Sequence, residues 1–172
     1  MSKKQTTLEI IVCGNDCVGK TSLISRFIEE KFESEIQSTN SYYYKTKVVN
    51  IDGDPVKLEV WDSVVREKFH SFTRAYKRGA DGILVVFDVC AENGLSGVGE
   101  LIEKIKKECP RATAALVGNR CDLTEQRKVT KEEAESFAHE RGLRYFETSA
   151  KENEGLDEVF DYVARQSYLS LQ

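Results

Sequence analysis

The sequence lacks the long apolar stretches and the runs of one charge that mark membrane-spanning or nucleic-acid-binding chains. No window in its 172 residues approaches the roughly 18 apolar residues that a membrane-spanning helix needs. The first residues, MSKKQTTLEI, contain no long apolar stretch, so we expect neither a signal peptide nor a membrane anchor there. Runs of Lys and Arg are short and the net charge is −4, so we expect no binding to nucleic acid or to an acidic membrane surface.

CxxC pairs of cysteines are absent as well. The five cysteines form an odd, scattered set without a CxxC pair, which indicates reduced thiols in the cytosol: Cys13, Cys17, Cys90, Cys109 and Cys121. A zinc site is the alternative, because three residues separate Cys13 from Cys17, but both lie in a segment with a better explanation below. His70 and His139 are lone histidines, for which a surface or core-edge position is expected rather than a role as ligand or base.

The apolar pattern alternates between strand-like and helix-like segments along a chain whose length fits one domain, residues 1–172, with a flexible N-terminus at 1–7. Strands are predicted at Leu8–Cys13, Tyr44–Ile51, Val56–Trp61, Ile83–Phe87, Ala114–Val117 and Arg144–Glu147. Helices are predicted at Thr21–Phe32, Leu101–Cys109, Lys131–Arg141 (with Gly142 as C-cap) and Leu156–Tyr168. This alternation predicts an α/β fold with a mostly parallel sheet, to which the early hairpin adds an antiparallel edge.

A phosphate-binding motif, GxxxxGK[ST], occupies Gly14–Thr21. Its glycines allow backbone N–H groups to turn toward phosphates, Lys20 reaches the β- and γ-phosphates, and the Thr21 hydroxyl takes one Mg²⁺ position. The helix that begins here adds its positive N-terminal end. The expected phosphate-site residues are Asp16, Cys17, Val18, Gly19, Lys20, Thr21 and Ser22. An ordinary turn between a strand and a helix is the alternative.

Two later segments carry polar residues just past predicted strands, where open α/β sheets bind ligands. The first, VGNRCD, contains Asn119 and Asp122, and the Asp122 carboxylate can accept from the ring N–H and the exocyclic amine of guanine. The second is Ser149-Ala150-Lys151 in ETSAK. Each is weak alone, but in this order behind a phosphate loop they indicate a guanine site rather than an adenine site.

These motifs resemble those of the Ras superfamily, and most closely those of its Rab branch, from Leu8 to about Tyr168. The Rab-like stretches are GNDCVGKTSLISRF, KLEVWDS with the following EKF, RGADGILVVFDV, VGNRCDL and FETSAK. The resemblance implies a six-stranded sheet with about five helices, GTP or GDP with Mg²⁺ as cofactors, and a role in vesicle traffic. It also implies effector proteins and exchange factors as partners that bind the switch regions.

The resemblance also assigns roles to single residues. Lys20 and Thr21 bind phosphate and Mg²⁺, Asp62 holds Mg²⁺ through water, and Thr39 contacts Mg²⁺ only in the GTP state. Phe32 stacks on the guanine. The base-reading set is Asn119, Arg120, Asp122, Ser149, Ala150 and Lys151, with the Ala150 backbone N–H opposite O6.

The second switch departs from the family pattern DTAGQE, since this chain has DSVVRE at residues 62–67. Val65 replaces a glycine whose N–H senses the γ-phosphate, and a β-branched residue is stiff in the backbone angles that glycine adopts. Arg66 replaces the glutamine that orients the attacking water, and its guanidinium has five donors and no acceptor. The expected catalytic residues are therefore Lys20, Thr39 and Arg66, with weak hydrolysis. A compensating group elsewhere is the alternative.

Smaller departures leave questions open. Asp16 places a carboxylate in the phosphate loop that points either toward the γ-phosphate or outward. Arg120 replaces the Lys of NKxD, and its stem can still pack on the base. Ser41 replaces a glycine, and the aromatic run 42–44 that follows either packs on the sheet or contacts a partner.

Three functions are compatible with these observations. The first is a Rab-like nucleotide switch or GTP-locked adaptor with slow hydrolysis, and the second is a competent GTPase that needs an activating partner. The third is a nucleotide-free scaffold. We expect a cytoplasmic monomer, peripheral on endomembranes or vesicles only if a lipidated tail lies beyond Gln172. Rab proteins end in a flexible tail with cysteines that carry a lipid, whereas this sequence ends at Gln172. Three explanations stay open: the sequence is a shortened form, it is a domain of a longer protein, or the protein is not lipidated.

Overall fold

The computed structural model describes residues 4–30, 43–62 and 79–172. Six strands lie in these ranges: β1 (Thr6–Gly14), β2 (Tyr43–Ile51), β3 (Asp54–Asp62), β4 (Gly82–Asp88), β5 (Thr113–Asn119) and β6 (Arg144–Thr148). The described helices are α1 (Lys20–Glu29), α2 (Val98–Glu108), α3 (Lys131–Glu140) and α4 (Leu156–Ser170), and a short 3-10 turn spans Thr124–Gln126.

The strands form one six-stranded sheet in the order β2-β3-β1-β4-β5-β6. Only the β2–β3 pair is antiparallel in this sheet, and the remaining neighbours run parallel. The predicted α/β fold with an antiparallel edge is therefore confirmed. Because β1, β4, β5 and β6 are parallel, their carboxyl ends meet at one edge of the sheet, where open α/β folds place ligands.

Helices cover both faces of the sheet, and each face has its own apolar core. On one face, α1 and α4 contribute Leu23, Phe27, Val159 and Phe160, and the rings of Phe27 and Phe160 stack 3.9 Å apart. On the other face, α2 and α3 pack through side chains that include Ile102, Ile105, Ala134 and Ala138. Since all seven residues of β4 are buried between these layers, its uninterrupted apolar pattern is explained.

The observed boundaries differ from the predicted ones by a few residues. Strand β1 begins at Thr6, inside the segment 1–7 that we expected to be flexible, because Thr6 and Thr7 pair with β3. Helix α1 ends at Glu29, before the predicted end at Phe32. Phe32 itself lies outside the described residues. Helix α2 begins at Val98, three residues earlier than predicted, after Gly97 in a left-handed conformation.

The turn between β2 and β3 has two consecutive residues with positive φ, Asp52 at 50° and Gly53 at 91°. Two such residues are typical of the tight turn that matches the twist of a hairpin. Helix α4 contacts this turn, because Arg165 pairs with Asp52 and the Tyr168 hydroxyl donates to Asp54. Among the helices of the described ranges, none has the length and apolarity needed to cross a membrane.

Candidate functional site

The phosphate-binding motif forms a tight loop between β1 and α1. Two of its glycines, Gly14 and Gly19, have positive φ and lie so close to neighbouring atoms that a side chain would collide with them. A Cβ on Gly14 would lie 2.1 Å from the Val86 carbonyl oxygen. A Cβ on Gly19 would lie 2.3 Å from the Asn119 Nδ2 atom. The loop therefore requires glycine at both positions.

Lys20 is held over the loop by two backbone carbonyls. Its Nζ donates to the Gly14 oxygen at 2.9 Å and to the Asn15 oxygen at 2.7 Å, and the residue is only 8% exposed. Burial lowers the pKa of Lys20, an effect that the nearby charge of Asp62 opposes. A buried ammonium group that has lost its water is a favourable site for a phosphate oxygen.

The two unusual residues of the loop, Asp16 and Cys17, are both exposed. Cys17 has a φ of 62°, which is the left-handed region that a side chain rarely adopts. The charge of Asp16 acts to raise the pKa of Lys20, although burial of the lysine outweighs it. The exposure of Asp16 does not by itself select between the two directions expected for its carboxylate, toward the γ-phosphate or outward.

The predicted magnesium residues Thr21 and Asp62 come together where α1 begins and β3 ends. The Thr21 Oγ1 atom donates to the Asp62 Oδ2 atom at 2.6 Å, and Asp62 is fully buried. Hydroxyl and carboxylate oxygens are the ligands that Mg²⁺ prefers. This pair beside the loop therefore fits the ion that the resemblance implies, and the ion would neutralise phosphate charge there.

Asn119 ties the phosphate loop to the end of the sheet. Its Nδ2 atom donates to the Val18 oxygen at 2.9 Å, and its Oδ1 atom accepts from the Thr148 hydroxyl at 3.1 Å. The residue is 2% exposed and lies at the end of β5. Sequence reasoning assigned Asn119 to base reading, whereas the geometry gives its amide a bridging position between three segments of the site.

Arg120 links the same elements from the rim. Its guanidinium donates to the Cys17 oxygen at 3.1 Å and pairs with the Asp88 carboxylate. Asp88 ends β4 and also accepts from the Cys90 N–H at 2.8 Å. The planar fork of arginine makes both bonds at once. Sequence reasoning missed Asp88, whose one signal was a carboxylate at the end of an otherwise apolar strand.

The segments expected to read the base follow β5 and β6. Asp122 is half-buried just beyond Asn119, and the Cys121 N–H donates to the Thr148 oxygen at 3.1 Å, which joins the two segments. Ser149 is fully buried, and its backbone exchanges two 3.0 Å hydrogen bonds with Glu154. Lys151 is exposed. The phosphate, magnesium and base segments thus meet at one edge of the sheet.

Glu147, which precedes this last segment, belongs to a polar cluster that sequence reasoning also missed. It pairs with Arg127 through both carboxylate oxygens and accepts from the Tyr145 hydroxyl at 2.5 Å. Burial acts to raise the pKa of Glu147, but these hydrogen bonds outweigh it and hold the pKa below its usual range. The carboxylate therefore anchors the end of β6 in its charged form.

Several predicted site residues lie outside the described ranges: Phe32, Thr39, Ser41, Val65 and Arg66. Their roles therefore stay predictions. The five cysteines are all described, and none is in a disulfide. Cys13 and Cys109 are buried, whereas Cys17 is exposed at the loop.

Comparison with known proteins adds a family context to this geometry. A sequence model described as the Ras family matches residues 9–169. Ras-related protein Rab-13 of Mesocricetus auratus is 40% identical over 162 residues, which is 94% of this chain and 80% of its own length. Rab-4 of Dictyostelium discoideum is 39% identical over 93% of this chain and 78% of its own. Rab-8B of Homo sapiens is 34% identical over 91% of this chain and 76% of its own.

Proposed function

Because the chain belongs to the Ras family, and within it is a Rab-like guanine-nucleotide-binding protein of vesicle traffic, we propose that its distinctive property is slow hydrolysis of bound GTP. Members of this family are GTPases. In this protein, tight nucleotide binding is then separated from the ability to hydrolyse the bound GTP without a partner protein.

The observation that carries the proposal is the contrast between an assembled binding site and an altered second switch. Lys20 is held over the loop, and the Thr21–Asp62 pair offers oxygens to Mg²⁺. In the segment that follows Asp62, Val65 and Arg66 occupy the positions where the family has Gly and Gln. These contacts support a site that retains the groups for charge stabilisation, while the group that positions water is replaced.

Two physical effects make hydrolysis slow. Phosphoryl transfer depends mostly on positioning and charge stabilisation, so a missing positioning residue costs rate directly. Arg66 cannot accept the proton of the attacking water, and Val65 stiffens the segment that would bring an acceptor close. A loss of about 3 kcal/mol in transition-state stabilisation slows the reaction roughly 100-fold.

The copurifying nucleotide separates the proposal from the two other functions. We expect the purified protein to release GTP when it is denatured and analysed by chromatography. GDP would instead indicate a competent GTPase that needs an activating partner in the cell. Absence of any nucleotide would indicate a scaffold and would refute the proposal.

Single-turnover hydrolysis then tests the assignment to Val65 and Arg66. We expect the parent to hydrolyse GTP roughly 100-fold more slowly than Rab-8B of Homo sapiens measured beside it. The double variant Val65→Gly with Arg66→Gln should recover rate, and by more than the two single variants combined, because neighbouring residues are seldom additive. Asp16→Ser in the repaired protein controls for crowding by that carboxylate. A parent rate equal to that of Rab-8B contradicts the proposal.

We further propose that effectors and exchange factors bind the two switches, the first containing Thr39 and the second beginning at Asp62, together with the exposed face of the β2–β3 hairpin. On that face the ring of Tyr44 lies 4.6 Å from that of Trp61 and is half exposed. The protein acts as a monomer, and it lies on endomembranes or vesicles only where a lipidated tail extends beyond Gln172.

A further inference from the structure

Arg26, in the last turn of α1, holds two consecutive carbonyl groups of the base-reading segment. Its Nε atom donates to the Ala150 oxygen at 2.7 Å, and one terminal nitrogen donates to the Lys151 oxygen at 3.0 Å. The other terminal nitrogen lies 3.3 Å from the oxygen of Glu30, the C-cap of its own helix. A guanidinium makes these bonds in a fixed plane, which the single ammonium of a lysine does not.

These contacts complete a restraint on the backbone of Ala150. The carbonyl of Ser149 accepts from the Glu154 N–H at 3.0 Å, and it belongs to the same peptide group as the Ala150 N–H. The next peptide group is held by Arg26 through the Ala150 carbonyl. Because peptide groups are planar, anchoring both of them leaves the Ala150 N–H one direction in which to point.

The same helix also carries the phosphate lysine. Lys20 begins α1, and Arg26 lies six residues later, or about 9 Å along the helix axis. The bonds from Arg26 join the base-reading segment to this helix across 124 positions of sequence. Helix α1 therefore contributes, beside the Asn119 bridge, to setting the distance between the phosphate loop and Ala150.

We propose that Arg26 is a positioning residue for guanine recognition, which aims the Ala150 N–H at O6 of the base. This inference rests on the proposed guanine-nucleotide function. Ala150 is 4% exposed and its carbonyl accepts from Arg26, which leaves its N–H as the backbone group assigned to the base. Arg26 thereby acts on one atom of the base through Ala150, beyond any contribution to folding.

The test compares nucleotides that differ at single positions of the base. Dissociation constants with Mg²⁺ are measured for GDP, for 6-thioguanosine diphosphate, in which sulfur replaces O6, and for inosine diphosphate, which lacks the exocyclic amine. We expect Arg26→Ala to weaken GDP binding about 10-fold, the effect of losing charged hydrogen bonds. Binding of the thio analogue should weaken less, so the preference for O6 shrinks. The ratio of GDP to inosine affinity, which Asp122 sets, should stay unchanged.

Arg165→Ala is the matched control, because Arg165 also bonds two partners, Asp52 and Asp161, away from the site. It should leave all nucleotide ratios unchanged. Arg26→Gln and Arg26→Lys each keep one donor nitrogen in place of three and should give intermediate ratios. They replace the alanine variant if thermal unfolding shows that it does not fold.

Two outcomes are distinguishable failures. Equal binding of GDP and ADP by the parent protein overturns the proposed function itself. The second result is a parent that prefers GDP to ADP, together with an Arg26 variant whose affinities for GDP, the thio analogue and inosine diphosphate all fall by the same factor or stay unchanged. That result overturns the positioning role of Arg26 alone.

Discussion

Substitution of Gly19 by alanine tests whether the phosphate loop depends on its contact with Asn119. Gly19 and Gly53 have nearly the same backbone angle, with φ of 95° and 91°. A Cβ on Gly19 would lie 2.3 Å from Asn119 Nδ2, whereas a Cβ on Gly53 would meet nothing within 4 Å. Gly53→Ala therefore measures backbone strain alone, and Gly19→Ala measures the same strain together with the collision.

The magnitudes follow from this difference. Left-handed strain costs each alanine variant about 1–2 kcal/mol in the free energy of unfolding. In Gly19→Ala the buried Asn119 must also move away from the Val18 oxygen, and an unsatisfied buried polar group costs about 1–3 kcal/mol more. We expect a total loss of about 2–5 kcal/mol for Gly19→Ala, against about 1–2 kcal/mol for Gly53→Ala.

Urea unfolding, followed by circular dichroism, measures both variants. Because bound nucleotide stabilises the folded state by mass action, the measurement is repeated at several GDP concentrations so that its contribution can be separated. Gly19→Ala should also bind GDP more weakly than Gly53→Ala does. Equal losses of unfolding free energy in the two variants would show that the packing of Asn119 against the loop is not what constrains Gly19.

The remaining predictions concern base choice and thiol reactivity. Asp122→Asn should move the preference from guanine toward xanthine nucleotides, as measured by competition binding, and an unchanged preference would remove Asp122 from the site. Iodoacetamide at pH 8 should label exposed Cys17 before Cys109 and Cys121, as followed by mass spectrometry. Burial raises the pKa of the Cys109 and Cys121 thiols to about 11. At pH 8, about one in a thousand of these thiols is therefore the reactive thiolate. Faster labelling of Cys109 than of Cys17 would contradict this order.

The parts of the structure that the sequence predicted are those with local signals. Strands β4 and β5 are continuous apolar runs, the loop Gly14–Thr21 is a fixed spacing of glycines and a lysine, and the turn at Asp52-Gly53 is a known hairpin dipeptide. Each pattern follows from the geometry of a few neighbouring residues, so the element could be assigned without knowing what packs against it.

The bonds that hold the site together have no such signal. Asn119 reaches Val18 across 101 positions, and Arg26 reaches Ala150 across 124. Arginine on a helix is ordinary in sequence, and its carbonyl partners belong to the backbone, which every residue carries. These roles depend on which segments the sheet brings together, and strand order is a property of the whole chain.

The two hydrogen bonds of the Asn119 side chain affect which mutations this domain can tolerate. Its amide bridges Val18 and Thr148, so a chain that lost it would lose stability whether or not it still bound nucleotide. Selection for a folded protein therefore maintains Asn119 by itself, and its presence says little about function. Asp122 is half-buried and follows the strand, so its retention is the more informative sign of continued selection for guanine binding. Substitution of Asn119 and substitution of Asp122 should therefore differ, the first lowering stability and binding together and the second lowering binding alone.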